Sequence, residues 1–115
     1  MDKDLGKRLF DFAISVIKYL RKLDKSKDID VISYQLIKAS TSSGANYEEA
    51  QSASSKADFK NKINISLREM RESNYWLRLL QMLYENNNEI NFLVQESEEL
   101  KKILGSISAK ISTCN

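Results

Sequence analysis

Residues 39–50 read Ala-Ser-Thr-Ser-Ser-Gly-Ala-Asn-Tyr-Glu-Glu-Ala, in which seven small side chains run directly into a polar cluster. On a helix, small side chains allow a second helix to approach closely, and polar groups buried at that contact need hydrogen-bond partners. A later stretch with helical spacing carries further carboxylates at Glu69 and Glu72. This pattern predicts a bundle of helices with a polar layer in its interior.

The composition favours a single all-α domain covering residues 1–115. The 115-residue chain is 42% hydrophobic and 30% charged, which is ordinary for a globular protein. It contains no proline and only three glycines. Because proline interrupts helices and marks loops, its absence favours long helices joined by short connections.

The sequence shows none of the usual features of export or membrane insertion. The charged start of the chain is not followed by the apolar run of a signal peptide, and no stretch approaches the roughly 18 apolar residues of a membrane span. Cys114 is the only cysteine, so an intrachain disulfide is excluded. We therefore expect a cytoplasmic protein that does not associate with membranes.

Four segments carry apolar residues at alternating steps of three and four, the spacing of one helical face. They predict helices over about residues 3–23, 29–50, 57–84 and 90–111, separated by polar turns. Gly105 lies inside the fourth segment and could mark a close helix approach. The net charge of the chain is +2, and the sign of the local charge alternates over residues 1–27, 28–55, 56–78 and 79–115. Short turns and alternating charge together favour an antiparallel up-down four-helix bundle.

Two of these helices carry more apolar surface than the core of a single four-helix bundle would bury. In the first helix, Phe10, Ile14 and Ile17 form a second stripe beside the core face, and in the third helix residues 75–84 are apolar nearly all round. A helix that is apolar on every side is usually buried on every side. We therefore expect the first and third helices to pack against further copies of the chain in a homo-oligomer.

The residues that usually carry catalysis or bind metals are scarce. The chain has no histidine, which argues against carboxylate-bridged metal bundles built on a Glu-x-x-His spacing, and Glu69 with Glu72 alone is a common surface pattern. The glycines are isolated, so there is no phosphate-binding loop, and Cys114 has no base beside it. We expect no cofactor, no metal site and no enzymatic activity. A carboxylate-based ligand or metal binder is the weaker alternative.

A polar strip on the second helix has two interpretations. Gln35, Ser42, Asn46 and Glu49 lie on one helical face, with Ala39 between them. They could line a pocket for a ligand or partner. They could instead form a buried hydrogen-bonded network with a basic partner, such as Lys38, Arg68 or Arg71, that fixes the helix register. We favour the network.

The first helix carries a basic set that consists of Lys7, Arg8, Lys18, Arg21 and Lys22. These side chains could bind the phosphates of a nucleic acid, although acidic neighbours dilute their charge and a solvated face is the simpler interpretation. Assembly would change this balance, because copies that place the set on a common side add their fields. Tyr75 and Trp76 could stack on bases, but their apolar surroundings favour packing.

Two stretches of the sequence resemble a known family. The run from Gln35 to Ala50, Gln-Leu-Ile-Lys-Ala-Ser-Thr-Ser-Ser-Gly-Ala-Asn-Tyr-Glu-Glu-Ala, is similar to the signature of the bacterial four-helix-bundle proteins called 23S rRNA intervening-sequence proteins. The later pattern Asp58-Phe59-x-x-Lys62 … Leu67-Arg68-Glu69-x-x-Glu72-Ser73-x-Tyr75-Trp76-Leu77 is similar too. The resemblance is strong over about residues 35–80, and it extends to the first and fourth helices by pattern. Family members commonly have an apolar residue where this chain has Ser43.

The resemblance implies an up-down four-helix bundle that assembles as a ring, commonly a homopentamer. It also suggests a relation to the accessory proteins of diversity-generating retroelements, pentameric barrels that engage a reverse transcriptase and RNA. Asn46, Glu49, Glu69 and Glu72 match the family signature, and we assign them to packing within the bundle or between subunits. The expected function is a non-enzymatic oligomeric scaffold or adaptor that binds RNA or a nucleic-acid enzyme. A purely protein-binding structural oligomer is the alternative.

Overall fold

The structure, a computed structural model, describes residues 2–84 and 86–113, with side chains over 5–84 and 86–112. Four helices account for most of this part of the chain: α1 Asp2–Arg21, α2 Lys27–Gln51, α3 Lys56–Leu83 and α4 Asn88–Thr113. The predicted helix boundaries agree with these to within two residues. Cys114 lies outside the described residues.

Polar side chains determine where three of the helices begin. Ser26 Oγ accepts a hydrogen bond from the amide of Ile29 at 3.3 Å, and Ser55 Oγ accepts one from the amide of Asp58 at 3.0 Å. Asn87 Oδ1 accepts one from the amide of Ile90 at 3.0 Å. Each bond satisfies an amide that has no partner inside its own helix, so α2, α3 and α4 start at defined residues.

The helices form an antiparallel up-down bundle. Each helix packs against the next in the sequence, and α1 also packs against α4, while the backbones of diagonal helices stay apart within the described residues. Across α3 and α4, residue numbers rise on one helix as they fall on the other, as shown by the bonded pairs Asn64–Ser108, Asn74–Ser97 and Gln81–Asn91. The bundle measures 47 × 21 × 20 Å, and its longest dimension is close to the length of α3, the longest helix. The predicted all-α fold is confirmed.

The apolar faces predicted from the sequence form the core. Each helix contributes one buried stripe, and about 25 cal/mol is gained per Å² of apolar surface removed from water. The largest fully buried side chains are Leu9, Phe12, Val16, Leu36, Ile63, Met70, Leu77, Leu80, Ile90, Leu93, Leu100 and Leu104. Packing is most extensive between α2 and α3 and least extensive between α1 and α4.

The small residues of α2 allow close contacts on two sides. Toward α3, Ser43 and Ser66 are fully buried, and each hydroxyl donates to the carbonyl oxygen of the other residue, at 2.8 and 2.7 Å. Toward α1, a Cβ built on Gly44 would lie 3.5 Å from the Cβ of Leu9. The close approach predicted from this stretch is therefore present.

A second close approach, predicted at Gly105 of α4, is not present. A Cβ built on Gly105 would meet nothing within 4 Å. This glycine sits on a half-exposed part of α4, so it does not serve helix packing within the protomer.

None of the helices in the described part of the chain combines the length and apolar character needed to cross a membrane.

Candidate functional site

Three of the five basic side chains predicted to contact nucleic acid are ion-paired on the bundle surface. Lys7 Nζ lies 2.7 Å from Asp11 Oδ2, one turn along α1, and Lys22 Nζ lies 3.0 Å from Glu89 Oε2 on α4. Arg8 bonds both carboxylate oxygens of Glu96, at 2.6 and 3.0 Å, and also reaches Glu99 (3.2 Å). The hydrogen bond to Glu96 is the main reason that the pKa of Arg8 is raised. The charge of these three cations is therefore largely compensated within the chain.

Lys18 and Arg21 differ from those three. Both are exposed, and neither has an ion pair among the described residues. They line a groove between α1 and α4, together with Ser15, Lys22, Glu89, Phe92 and Leu93. Phe92 is 58% exposed on the α4 side of this groove. The groove thus combines two uncompensated cations with an aromatic ring, a combination that suits phosphates and bases.

Among the residues whose side chains the structure describes, the polar strip of α2 does not form the predicted network with Lys38, Arg68 or Arg71. Asn46 donates to the carbonyl and hydroxyl oxygens of Ser42 on its own helix, at 2.9 and 3.1 Å, and Glu49 is exposed. On α3, Glu69 lies 3.9 Å from its neighbour Arg68, and Glu72 accepts a hydrogen bond from Trp76 Nε1 at 3.4 Å. The α2–α3 polar contact is made by the buried serine pair Ser43–Ser66 instead. A role for the four signature residues between subunits stays a prediction.

The structure contains a buried polar chain that the sequence pattern did not predict. Asn74 is 2% exposed, and its amide nitrogen donates to Ser97 Oγ at 2.9 Å. Ser97 in turn donates to the carbonyl oxygen of Val94, and Arg78 Nε donates to Asn74 Oδ1 at 2.9 Å. The available signal was Ser97, which interrupts the apolar face of the fourth helix. A buried hydroxyl there requires a partner on a facing helix.

The outer face of α3 carries arginines and an exposed tyrosine. Arg68, Arg71, Tyr75 and Arg78 follow each other at steps of three, four and three, which places them along one side of the helix. All four are exposed. The guanidinium carbon of Arg78 lies 5.9 Å from the centre of the Tyr75 ring, and Trp76 meets that ring edge-on at 5.1 Å.

An apolar groove runs between α1 and α2. It is lined mainly by the second stripe of α1 and the small residues of α2, namely Gly6, Leu9, Phe10, Ala13, Ile14, Ile17, Thr41, Gly44, Ala45 and Glu48. Phe10 is 61% exposed and Ile14 38% exposed. Farther along α2, Val31 and Tyr34 are also exposed.

The apolar end of α3 is partly covered within the protomer. Trp76 is half-buried and packs against the core, whereas Met82 and Leu83 are exposed at the end of the helix.

Among the described residues, no three of His, Cys, Asp and Glu converge as metal ligands would. The protomer thus offers two kinds of surface for binding, one apolar and one basic.

These features define the chain as an all-α up-down bundle with surface grooves. The protein belongs to the family of 23S rRNA-intervening sequence proteins, which it matches over residues 2–106. This confirms the resemblance noted from the two signature stretches.

A solved structure with the same fold belongs to a protein of unknown function from the S23 ribosomal protein family of Bacteroides thetaiotaomicron VPI-5482. It is 35% identical to this chain, with a TM-score of 0.81, and the match covers 90% of this chain and 97% of that one. A comparison with curated proteins found no significant match.

Proposed function

We propose that this protein is a non-enzymatic scaffold that assembles as a homo-oligomer and binds RNA, or an enzyme that acts on nucleic acid, through the basic groove of α1 and α4. The observation that carries the proposal is that α1 holds an exposed apolar stripe and two uncompensated cations side by side. A homopentamer is the ring size that the family resemblance implies.

The apolar groove between α1 and α2 supports assembly. Soluble monomers rarely expose a large contiguous apolar patch, and such patches commonly mark interaction sites. Phe10 and Ile14 project from α1 beside small residues of α2, which leave room for side chains of another copy. The α1 surface is thus continued by α2, whereas the sequence pattern favours α3 as the second helix of the interface.

Lys18 and Arg21 support the nucleic-acid part of the proposal. Two cations on one protomer give a weak field, but a closed ring repeats them in every subunit, and the fields add. Phe92 offers an aromatic face in the same groove. A polyanion with unpaired bases would use both features.

Light scattering over a range of protein concentrations tests the assembly. We expect a mass several times that of the 13.3 kDa chain, and about five times for the pentamer that the resemblance implies. Phe10→Asp should lower the measured mass, because it places a charge in the apolar groove. Phe92→Asp is the matched control, since Phe92 is similarly exposed on α4. A monomeric wild-type protein would contradict the proposal.

Fluorescence anisotropy with labelled RNA at several salt concentrations tests the groove. The double variant Lys18→Gln/Arg21→Gln should weaken binding and flatten the dependence of log K on log salt by about 0.7–0.9 for each lost phosphate contact. Lys56→Gln/Lys102→Gln removes the same charge elsewhere on exposed positions and should have a smaller effect. Equal losses in both variants would point to non-specific attraction and would contradict a role for this groove.

A purely protein-binding structural oligomer is the second candidate. The ion pairs of Lys7, Arg8 and Lys22 favour it, because they compensate three of the five cations in the basic set of α1. An oligomer with no measurable affinity for RNA would select this candidate. A carboxylate-based ligand or metal binder would instead reveal itself by a stoichiometric ion in elemental analysis of the purified protein.

A further inference from the structure

The outer face of α3 combines three arginines with a tyrosine on the helix diagonally opposite α1. From Arg68 to Arg78 the stripe rises by about 15 Å along the helix, at roughly 1.5 Å per residue. Arg71 and Arg78 have no ion pair among the described residues, and there the only carboxylate paired with Arg68 is that of Glu69 at 3.9 Å. The stripe is therefore a largely uncompensated basic surface with an aromatic ring in it.

A buried hydrogen-bond chain holds Arg78 in place. Its Nε donates to Asn74 Oδ1 at 2.9 Å, and Asn74 is anchored to Ser97 of α4. Asn74 is 2% exposed, so this anchor lies in the interior of the bundle, whereas Arg78 is exposed. With Nε engaged, the two terminal nitrogens of the guanidinium remain for an external acceptor, in the fork geometry that suits phosphate.

Tyr75 is also restrained. Trp76 packs edge-on against its ring at 5.1 Å with an angle of 76° between the rings, and Trp76 is itself bonded to Glu72. Arg78 lies over the ring of Tyr75, whose side chain is still 48% exposed. Aromatic rings and guanidinium planes are the two surfaces on which proteins stack unpaired bases. The pair presents both, already oriented.

We propose that Tyr75 and the guanidinium plane of Arg78 form a preorganised platform on which a base of single-stranded RNA stacks. Arg68, Arg71 and the terminal nitrogens of Arg78 bind the phosphates on either side of that base. This inference rests on the proposed function in taking nucleic acid as the ligand, but it uses a different face of the bundle. A single strand is the occupant that fits, because a duplex keeps its bases stacked internally. An acidic peptide could pair with the arginines, but it has no base to stack on the ring of Tyr75.

Labelled oligouridylate is the probe for this platform, with anisotropy measured at several salt concentrations. Tyr75→Leu should weaken binding by about tenfold with little change in salt dependence, since stacking is not ionic. Arg78→Gln should weaken binding and reduce the salt slope by about 0.7. Arg78→Lys should keep the slope but lose affinity, because lysine keeps the charge and lacks the fork that Asn74 orients. Lys56→Gln, on an exposed position at the far end of α3, is the control for charge alone.

Trp76 supplies an independent signal. It is the only tryptophan of the chain and touches Tyr75, so a base that stacks there should change its fluorescence on titration with unlabelled oligouridylate. Tyr75→Leu should abolish that change. Circular dichroism of each variant checks that the bundle is folded, which we expect because the altered side chains are exposed.

The outcomes separate this inference from the proposed function. If Lys18→Gln/Arg21→Gln abolishes RNA binding while the Tyr75 and Arg78 variants bind like the wild type, the platform is refuted and the α1 groove stands. If the wild type binds no RNA, both fail. If Tyr75→Leu changes the oligomer mass and leaves RNA affinity unchanged, the stripe contacts protein and the platform is again refuted.

Discussion

Lys7 and Arg8 are adjacent in the chain, but their ion pairs differ in surroundings. The Lys7–Asp11 pair is open to water, with side chains that are 77% and 53% exposed. Arg8 links α1 to α4 by bonding both oxygens of Glu96, whose side chain is only 15% exposed. Water weakens the first pair strongly and the second much less. Two neighbouring cations therefore contribute unequally to stability.

We predict that Arg8→Gln lowers the free energy of unfolding by about 1–2 kcal/mol, because it leaves the largely buried carboxylate of Glu96 without its partner. Lys7→Gln removes the same charge and should have a much smaller effect, since its ion pair is fully open to solvent. Urea unfolding at one fixed protein concentration measures both. Equal effects of the two substitutions would show that Arg8–Glu96 is no stronger than a surface pair.

The spacing of residues along each helix predicted which side chains face inward better than it predicted their hydrogen-bond partners. Ser43, Ser66 and Ser97 stand at positions of the apolar faces, and all three are fully buried. Their partners depend on the register between helices, which periodicity within one helix does not specify. The network predicted for Asn46 and Glu49 depended on that register, whereas Asn46 bonds Ser42 on its own helix and Glu49 is exposed.

At the scale of the helices, Gly44 and Gly105 play different roles. Gly44 faces Leu9 across the α1–α2 contact, and a methyl group added to it would lie 3.5–3.7 Å from the nearest atoms, which is ordinary van der Waals distance. A methyl group added to Gly105 on α4 would lie near nothing. Neither glycine has a positive φ angle, so neither needs the conformational freedom of glycine.

We predict that Gly105→Ala raises the free energy of unfolding by about 0.5–1 kcal/mol, because alanine favours the helix and restricts the unfolded chain. Gly44→Ala should also be tolerated, whereas Gly44→Leu should lower that free energy by about 1–3 kcal/mol by overpacking against Leu9. Thermal and urea unfolding of the three variants provide the measurement. A loss of stability in Gly105→Ala would mean that another chain lies against this position.

Helix boundaries were predictable because the chain carries clear local signals. Serine or asparagine caps precede three helices, and the polar turns contain no competing apolar pattern.

The basic surface was harder to predict. Which cations are compensated depends on carboxylates far away in sequence, such as Glu96 for Arg8, and the arginine stripe of α3 becomes visible only when its exposed face is known.

For the whole molecule, the absence of histidine shapes the pH dependence. Histidine is the one side chain whose ordinary pKa lies between about 5 and 8, and this chain has none. Among the described residues, three carboxylates have a lowered pKa: Asp28 through the Ser26 hydroxyl, Glu98 through Lys101, and Glu99 through Gln95 and Arg8. A lowered pKa in the folded state contributes stability above the unfolded-state value, and acid removes it.

We therefore predict a melting temperature that is nearly constant from about pH 8 to pH 5 and that falls as the pH drops below the ordinary values of 4.5 for Glu98 and 3.8 for Asp28. Asp28→Asn should flatten part of the acid limb, because it removes one of these carboxylates. Calorimetry at constant protein concentration measures the curve. A transition centred between about pH 6 and pH 7 would contradict the prediction, because no histidine is present to titrate there.

The unequal packing of the bundle has a consequence for how it comes apart. α2 and α3 share the most extensive contact, and α1 meets α4 across the least extensive one. α1 also packs less extensively on α2 than α4 does on α3, so it is the least held of the four helices. Local opening starts where contacts are fewest, so α1 is expected to detach first. A second subunit bound in the groove beside Phe10 would hold α1 against the bundle. Dissociation on dilution would then destabilise α1, so the stability of the fold would depend on protein concentration.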